Sequence, residues 1–293
     1  MGGSKVPDII RPSRGKSMRL QNTITAIKQP HIMGQYAIWS MRNLLSRKRV
    51  TKRVRRNVSI GGFSGFSEYL AVDDFLKDGD FSFFQEYAFD AGAFVDIGAN
   101  MGVYSLIFAQ RFPDRLVYAV EANPHTLVTL RKNIELNGSE NVRAFGVAIS
   151  DLTGTVIFNA DPIRRGTAGI VRSGGVHAIE VSCQSLDEFV AANAVGPIAA
   201  IKIDVEGYET LVLRGGQSTL ATNPPRVILF EVCPEITEQA GFAADEPSRL
   251  LLDAGYSLFH ANPRGELVSV KVDDIARVAS DNWIAVYKHS KAY

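Results

Sequence analysis

A carboxylate followed closely by a glycine-punctuated turn stands in the segment Phe94-Val-Asp96-Ile-Gly98-Ala-Asn100-Met-Gly102. Glycine lets the backbone turn tightly and lets a ligand approach without meeting a Cβ atom. A helix that begins after the turn would add oriented N–H groups. The segment predicts a site for a nucleotide-type cofactor. The loop alone does not choose between NAD(P), FAD and S-adenosylmethionine, and its spacing is not the full GxGxxG.

Two acids narrow the choice of cofactor. Glu121 ends the next apolar run, where a carboxylate can accept hydrogen bonds from both ribose hydroxyls of NAD or S-adenosylmethionine. Asp96 lies just ahead of the loop, so a pyrophosphate there would meet a negative charge at a cost on the order of several kcal/mol. The ammonium and sulfonium of S-adenosylmethionine would be attracted instead, which favours that cofactor. The structural alternative is that Asp96 caps the next helix and Glu121 is a surface acid.

A third acid follows the next apolar run, in Val147-Ala-Ile-Ser-Asp151. In a parallel sheet of this kind, the end of the third strand faces the adenine. Asp151 could accept a hydrogen bond there from the exocyclic amine. An aspartate that only forms a turn is the alternative.

Three further acids are expected at one edge of the sheet. Lys202 and Asp204 alternate in Ile201-Lys-Ile-Asp204 and therefore share one side of a strand. Asp204 and Glu206 follow that strand and Glu231 ends the next, at the edge where open parallel sheets bind ligands. Asp204 is the favoured general base. The alternative is that the three acids hold Mg²⁺, which would activate a vicinal diol.

Two histidines and one lysine complete the candidates. His177 and His260 could act as bases, although a lone histidine beside a strand usually has a structural role. Lys202 could equally form a structural ion pair with Glu206 or Glu209.

The elements that must position these residues alternate between strand and helix. Apolar runs suited to buried parallel strands precede segments with apolar residues at helical spacing. Such alternation predicts right-handed βαβ units, an α/β fold and a mostly parallel sheet. The predicted strands are Ala93–Ile97, Leu116–Val120, Val142–Ile149, Ala199–Ile203, Arg226–Val232 and Tyr256–His260, with helices over Gly102–Arg111, from Pro124 to Asn137, from Glu209 and near Pro247–Ala254.

Two departures from the alternation are expected. Gly154–Asn159 and His177–Cys183 predict an inserted β-hairpin around a glycine-rich loop, Arg164 to Gly175. The last two strands, Glu266–Val270 and Trp283–Lys288, are close enough in the chain to pair with each other and form an antiparallel C-terminal edge.

Charge divides the chain into a basic arm, residues 1–58, and an acidic body, residues 59–293. The arm holds fourteen Lys or Arg and one acid, whereas the body holds 18 bases and 30 acids. An anionic partner is therefore expected for the arm. Residues 31–56 could form an amphipathic helix that packs on the body, or one that lies on anionic membrane with Trp39 and Tyr36 at the interface. Nucleic acid is less favoured because no recognition motif is present.

The remaining features predict a cytoplasmic protein, and the basic arm leaves open a peripheral position at the inner face of the membrane. The N-terminus lacks the continuous apolar core of a signal peptide, and no run of about eighteen apolar residues occurs. Cys183 and Cys233 lie in apolar stretches, which favours two buried free thiols over a disulfide.

Three segments together resemble the FkbM family of methyltransferases. They are Val95-Asp-Ile-Gly-Ala-Asn-Met-Gly-Val-Tyr-Ser105, Val120-Glu-Ala-Asn-Pro124 and Ile201-Lys-Ile-Asp-Val-Glu-Gly-Tyr-Glu209. The resemblance covers about residues 90–235. It implies a Rossmann-like class I methyltransferase fold, S-adenosyl-L-methionine as donor and O-methylation of a hydroxyl on a sugar, glycolipid or polyketide-like metabolite. By their positions in these motifs, the cofactor would be bound by Asp96, Gly98, Asn100, Gly102 and Glu121.

Two rival functions remain at this point. An NAD-dependent oxidoreductase would want a full GxGxxG and a catalytic Tyr/Lys or His/Asp set, and the sequence shows neither clearly. A catalytically inactive methyltransferase-like module recruited to membranes would account for the basic arm but not for Asp96, Glu121 and Asp204.

Overall fold

The structure is a computed structural model, and it describes residues 39–41, 50–55, 57–160 and 177–288. Among these residues, no helix combines the length and the apolar character that crossing a membrane requires. The strands are β1 (Thr51–Arg55), β2 (Val58–Gly61), β3 (Ala93–Ile97), β4 (Val117–Val120), β5 (Val142–Phe145), β6 (Ala148–Ser150), β7 (Gly154–Asn159), β8 (Ala178–Ser185), β9 (Ile198–Ile203), β10 (Val227–Val232), β11 (Tyr256–Ala261), β12 (Leu267–Ser269) and β13 (Asp281–Tyr287). The helices are α1 (Phe66–Phe75), α2 (Gly79–Glu86), α3 (Val103–Arg111), α4 (Pro124–Asn137), α5 (Leu186–Ala192), α6 (Glu209–Arg214), α7 (Gln217–Thr222), α8 (Pro234–Gln239) and α9 (Glu246–Asp253), with a 3₁₀ helix at Val272–Arg277.

Eight strands form the central sheet, in the order β12-β11-β13-β10-β9-β3-β4-β5. The run from β10 to β5 is parallel, and antiparallel pairs join β10 to β13, β13 to β11 and β11 to β12. Strands β3, β9 and β10 are buried along their whole length, as their unbroken apolar runs predict. The predicted mostly parallel α/β sheet with an antiparallel C-terminal edge is confirmed.

Each face of the sheet carries its own apolar core. On one face, Phe94 and Phe108 stack at 4.9 Å between ring centroids, and Phe84 of α2 packs against both. On the other face, Phe230 and Trp283 pack edge to face. Asp96, Lys202, Asp204 and Glu231 alternate with residues of the second core, so they belong to the first face, the one that α2 and α3 cover.

The predicted third strand is wrong in its length, because the chain leaves the sheet at Gly146. β5 ends at Phe145, and β6 pairs instead with β8 in a separate three-stranded sheet, β6-β8-β7. A Cβ atom at Gly146 would lie 2.7 Å from Leu127, so glycine allows the close passage that redirects the chain. β7 and β8 pair antiparallel and confirm the inserted hairpin, whereas its loop, Arg164 to Gly175, lies outside the described residues.

The predicted pairing of the last two strands is also wrong. β12 pairs with β11, its neighbour in the chain, across a tight turn in which Gly265 has φ +80°. The 3₁₀ helix then returns the chain to the interior of the sheet, where β13 lies between β10 and β11. β13 is therefore a buried central strand, with Ile284 and Ala285 at its middle.

The expected helix over residues 31–56 is wrong at residues 51–55, which form β1 and pair antiparallel with β2. Residues 31–38, 42–49 and 56 lie outside the described residues. Lys52 and Val54 alternate with exposed neighbours, which is the period of a strand. Lys52 is buried, and its ammonium contacts Asp73 at 2.8 Å and the Tyr69 carbonyl at 2.5 Å. This hairpin crosses the division at residue 58. Residues 39–41 are helical, and Trp39 packs on Phe66 at 5.7 Å between centroids.

Candidate active site

The glycine loop is a sharp turn between β3 and α3. Gly98, Asn100 and Gly102 have φ values of +79°, +51° and +89°. A Cβ atom at Gly98 would lie 1.9 Å from the carbonyl oxygen of Asp204, so the loop passes directly against the chain that follows β9. Asn100 is one of three non-glycine residues with positive φ in the described chain. Strained backbone of this kind is concentrated at functional sites.

Asp96 lies beneath this loop and is 1% exposed. Its Oδ2 accepts hydrogen bonds from the backbone N–H of Ser105 at 3.1 Å and from the Ser105 hydroxyl at 2.6 Å. Burial raises the pKa of Asp96, while Lys202, its in-register neighbour on β9, lowers it in part. The aspartate thus braces the first turn of α3, as the capping alternative expected. That role leaves its second oxygen available.

Glu121 holds the loop from the other side. Its two carboxylate oxygens accept hydrogen bonds from the backbone N–H groups of Asn100, at 2.9 Å, and Asn123, at 2.8 Å. Burial raises the pKa of Glu121 to about 7, and the two N–H groups oppose that shift. The carboxylate is 8% exposed at the carboxyl end of β4, so it is not a surface acid.

The polar atoms at this loop fit S-adenosylmethionine. Among the described residues, Asp96 Oδ1 and Asn100 Oδ1 are buried acceptor atoms without a hydrogen-bond partner. Such atoms cost free energy unless a donor satisfies them. The ammonium of the methionine moiety is such a donor, and a pyrophosphate is not. Asp96 and Asn100 would therefore hold the amino acid end of the cofactor, and Glu121 the ribose.

The three predicted acids converge beside this loop. Asp204, Glu206 and Glu231 each place one carboxylate oxygen within 4.8 Å of the others. Lys202 contacts this cluster, because its ammonium lies 3.0 Å from Asp204 Oδ2. The same ammonium lies 5.0 Å from the centre of the Tyr104 ring, within the range of a cation–π contact. One buried lysine thus faces both Asp96 and the acidic cluster.

The loop after β9 is built around a buried glutamate. Glu209 accepts hydrogen bonds from the backbone N–H groups of Val205, at 3.0 Å, and Gly207, at 3.4 Å. Burial, and then the charge of Glu231, raise the pKa of Glu209 to about 8. The loop holds Glu206 at φ +55°, a conformation that non-glycine residues seldom adopt. In this conformation the Glu206 carboxylate lies near those of Asp204 and Glu231.

A second acidic group at this edge was missed by the sequence analysis. Asp80 of α2 is 4% exposed, and its Oδ2 accepts hydrogen bonds from the Tyr104 hydroxyl at 2.6 Å and the Asn282 amide at 2.9 Å. Burial raises the pKa of Asp80 to about 6. Burial and the charge of Asp80 raise that of Asp281 to about 7. Tyr104 stands in the recognised motif, but no local pattern marks the other three residues.

The remaining candidates lie elsewhere. Asp151 is exposed and follows β6, which belongs to the smaller sheet, so the argument that placed it after the third strand of the main sheet does not hold. Its contact with adenine stays a prediction. His177 is exposed ahead of β8. His260 is half-buried on β11, which β13 separates from β10.

Comparisons with known proteins identify the family of this chain. The family model described as the methyltransferase FkbM domain matches residues 96–258. The 2-O-methyltransferase NoeI of Sinorhizobium fredii is 28% identical over 58% of this chain and 74% of its own length. The hexuronic acid methyltransferase AglP of Haloferax volcanii is 27% identical over 55% of this chain and 62% of its own length.

Among solved structures, the methyltransferase FkbM from Methylobacillus flagellatus aligns with a TM-score of 0.44 and 14% identity. The alignment covers 80% of this chain and 57% of that one. The matched family region contains Asp96, Glu121 and the three clustered acids, and it covers more than half of the chain. This protein belongs to the FkbM family of S-adenosylmethionine-dependent methyltransferases.

Proposed function

We propose that this protein methylates a hydroxyl group of a sugar, with glycolipids and polyketide-like metabolites as the related substrate classes. The proposal rests on the convergence of Asp204, Glu206 and Glu231 beside the glycine loop, residues 98–102, which is called the cofactor loop from here on. Carboxylates accept hydrogen bonds from hydroxyl groups and can remove their protons. The names of two relatives, a 2-O-methyltransferase and a hexuronic acid methyltransferase, also support an oxygen acceptor on a sugar.

The reaction needs little covalent chemistry from the protein. S-adenosylmethionine supplies a methyl carbon already activated by its sulfonium. When the cofactor is bound, that carbon would form a bond to the acceptor oxygen as its bond to sulfur breaks, and S-adenosylhomocysteine would be released. Asp204 takes the hydroxyl proton, and Lys202 at 3.0 Å fixes the orientation of its carboxylate. Glu206 and Glu231 would hold neighbouring hydroxyls and so orient the acceptor oxygen for methyl transfer.

The alternative for the same three acids is that they bind Mg²⁺. Their oxygens lie close enough together to share one cation, and oxygen ligands are those that Mg²⁺ prefers. We favour the general base because Asp204 already pairs with Lys202, whose charge would oppose a nearby cation. Removal of divalent ions with EDTA separates the two mechanisms. Unchanged turnover supports the base, and loss of turnover that Mg²⁺ restores supports the metal.

Titration calorimetry tests the cofactor first, with S-adenosylhomocysteine and NADH as ligands. We expect micromolar binding of S-adenosylhomocysteine, loss of that binding in Asp96→Ala, and no binding of NADH. Binding of NADH alone would contradict the methyltransferase function, and silence from both ligands would favour an inactive binding module.

Methyl transfer from labelled S-adenosylmethionine to neutral glycosides and uronates then tests the acceptor. With an accepted sugar, we expect Asp204→Asn to lower kcat by about 100-fold, the usual contribution of a general base. The exposed Glu140→Gln is the matched control and should leave kcat unchanged. An Asp204→Asn variant with normal kcat would remove Asp204 from the mechanism.

We further propose that the protein is cytoplasmic and that residues 31–56 bring it to the anionic inner face of the membrane, near a lipid-linked substrate. The excess of cations in the arm supports this proposal. Trp39 packs on Phe66. Lipid contact would therefore depend on the lysines and arginines more than on this aromatic residue. Nucleic acid stays the less favoured partner.

A further inference from the structure

Two asparagines on α4 complete the hydrogen bonds of β2, the edge strand of the N-terminal hairpin. Asn133 Oδ1 accepts a hydrogen bond from the Gly61 N–H at 2.8 Å, and its amide donates to the Gly61 carbonyl at 3.3 Å. Asn137 makes the same pair of bonds with Ser59, at 2.9 and 2.7 Å. The two asparagines are four residues apart and therefore lie on one face of the helix.

The two asparagines differ in their third hydrogen bond. The Asn133 amide also donates to the carbonyl oxygen of Met101, inside the cofactor loop, at 2.9 Å. The Asn137 amide donates instead to the Asn133 carbonyl of its own helix, at 2.6 Å. Asn133 thus joins the hairpin to the cofactor loop, whereas Asn137 joins the hairpin to α4 alone.

The contact at Met101 lies where the loop has little freedom. Met101 and Asn133 are 7% and 2% exposed, so water does not replace the bond if it breaks. A Cβ atom at the next residue, Gly102, would lie 2.6 Å from Leu130, one turn before Asn133 on α4. The loop that carries Asn100 therefore rests on α4 at two adjacent points, one apolar and one polar.

We propose that Asn133 is a positioning residue that couples the β1–β2 hairpin to the cofactor loop. It shapes the loop by fixing the Met101 carbonyl, and the hairpin in turn fixes Asn133. Because binding couplings are reciprocal, a cofactor that orders the loop also stabilises the hairpin. The proposal rests on cofactor binding at this loop. Beyond that function, the stability of the β1–β2 hairpin, which follows the basic arm in the chain, is linked to the affinity for the cofactor.

Calorimetry with S-adenosylhomocysteine compares Asn133→Ala with Asn137→Ala. Each variant loses one of the two pairs of hydrogen bonds to β2, at Gly61 in Asn133→Ala and at Ser59 in Asn137→Ala, and should lower Tm. Only Asn133→Ala should weaken binding, by about tenfold, the equivalent of one hydrogen bond to the loop. Asn137→Ala keeps the bonds of Asn133 to Gly61 and Met101 and should therefore bind within about twofold of the wild-type protein. Measurement well below the Tm of both variants keeps the comparison independent of unfolding. Equal affinities in the two variants would overturn the coupling.

Hydrogen exchange of the wild-type protein gives a second test that does not depend on a variant's folding. We expect S-adenosylhomocysteine to slow exchange of the Gly61 amide about tenfold and to leave the β7–β8 hairpin unchanged. Unchanged exchange at Gly61 in the saturated protein would overturn the coupling but not the methyltransferase function. Failure of the wild-type protein to bind S-adenosylhomocysteine would overturn both.

Discussion

Gly98 shows how tightly one residue can constrain the cofactor loop. Its φ of +79° is costly for any residue with a Cβ atom, and that atom would lie 1.9 Å from the Asp204 carbonyl oxygen. Because the obstacle is backbone, a small side-chain shift cannot relieve it. The absence of a side chain at Gly98 therefore allows the cofactor loop to lie against the backbone of Asp204.

Substitution of Gly98 by alanine is expected to lower the free energy of unfolding by more than about 3 kcal/mol and the affinity for S-adenosylhomocysteine by more than about tenfold. Gly138→Ala is the matched control, because Gly138 also has positive φ, +58°, but nothing lies within 4 Å of the added Cβ. It should cost about 1 kcal/mol and leave the affinity unchanged. Urea unfolding and calorimetry measure both effects. Equal losses in the two variants would show that backbone conformation alone matters.

Glu121 is expected to make stability depend on pH. Its pKa rises from 4.5 to about 7 on folding because of burial. The folded state therefore holds this proton more tightly than the unfolded chain does. The resulting stabilisation is full below about pH 4.5 and is lost as the pH rises through about 7, by up to about 3 kcal/mol. Glu121→Gln should weaken this dependence, as urea unfolding at pH 5 and pH 8 would show. If the free energy of unfolding differs between the two pH values as much in Glu121→Gln as in the wild-type protein, Glu121 is not the source of the pH dependence.

At the scale of elements, Asp80 joins three of them that are remote in the chain. It lies in α2, accepts from Tyr104 in α3 and accepts from Asn282 in β13, all over the edge that carries Glu231. The ring of Tyr104 in turn lies near the Lys202 ammonium. These contacts connect helices α2 and α3, which lie over this face of the sheet, to Lys202 in β9.

Replacement of Asp80 by alanine would leave the Tyr104 hydroxyl and the Asn282 amide without the acceptor to which both donate. We expect a loss of about 2–4 kcal/mol in the free energy of unfolding, because the buried Tyr104 hydroxyl and the half-buried Asn282 amide lose their acceptor. Asp80→Asn keeps an acceptor oxygen in the same place and should cost less than half as much. Urea unfolding at pH 7 compares the variants. Equal destabilisation would mean that the negative charge, and not the acceptor, matters.

At the scale of the whole molecule, the basic arm and the acidic body are joined through the β1–β2 hairpin. β1 pairs with β2. Val54, Val58 and Ile60 belong to the apolar core that also contains Phe94 and Phe108. A truncation after residue 58 would therefore remove part of the folded body together with the arm. A cut ahead of Val50 keeps the hairpin and still removes ten lysines and arginines.

Co-sedimentation with anionic vesicles tests the membrane proposal. The protein with all 293 residues should pellet at low salt and be released as salt rises, because the attraction is electrostatic. The protein that begins at Val50 should stay in the supernatant and keep its affinity for S-adenosylhomocysteine. Equal, salt-insensitive pelleting of both proteins would exclude the arm as the membrane contact.

The sequence by itself determined that β3, β4, β9 and β10 belong to one parallel sheet, and it determined the cofactor loop and the sheet edge at which Asp204, Glu206 and Glu231 cluster. These features follow from short-range patterns: strand and helix periodicity, glycine placement and the rule that parallel strands end at one edge. The order of the last strands and the break at Gly146 were not predicted, since pairing partners depend on competition among distant segments.

Only the tertiary structure decided which buried donors and acceptors form hydrogen bonds with each other. Asn133 reaches Met101 across 32 residues of chain, and Asn282 reaches Asp80 across 202. Contacts of this kind leave no periodic signal, because each partner alone resembles an ordinary surface residue. Burial is what turns them into constraints: once water is excluded, each donor must find its acceptor, and the fold fixes which one it finds.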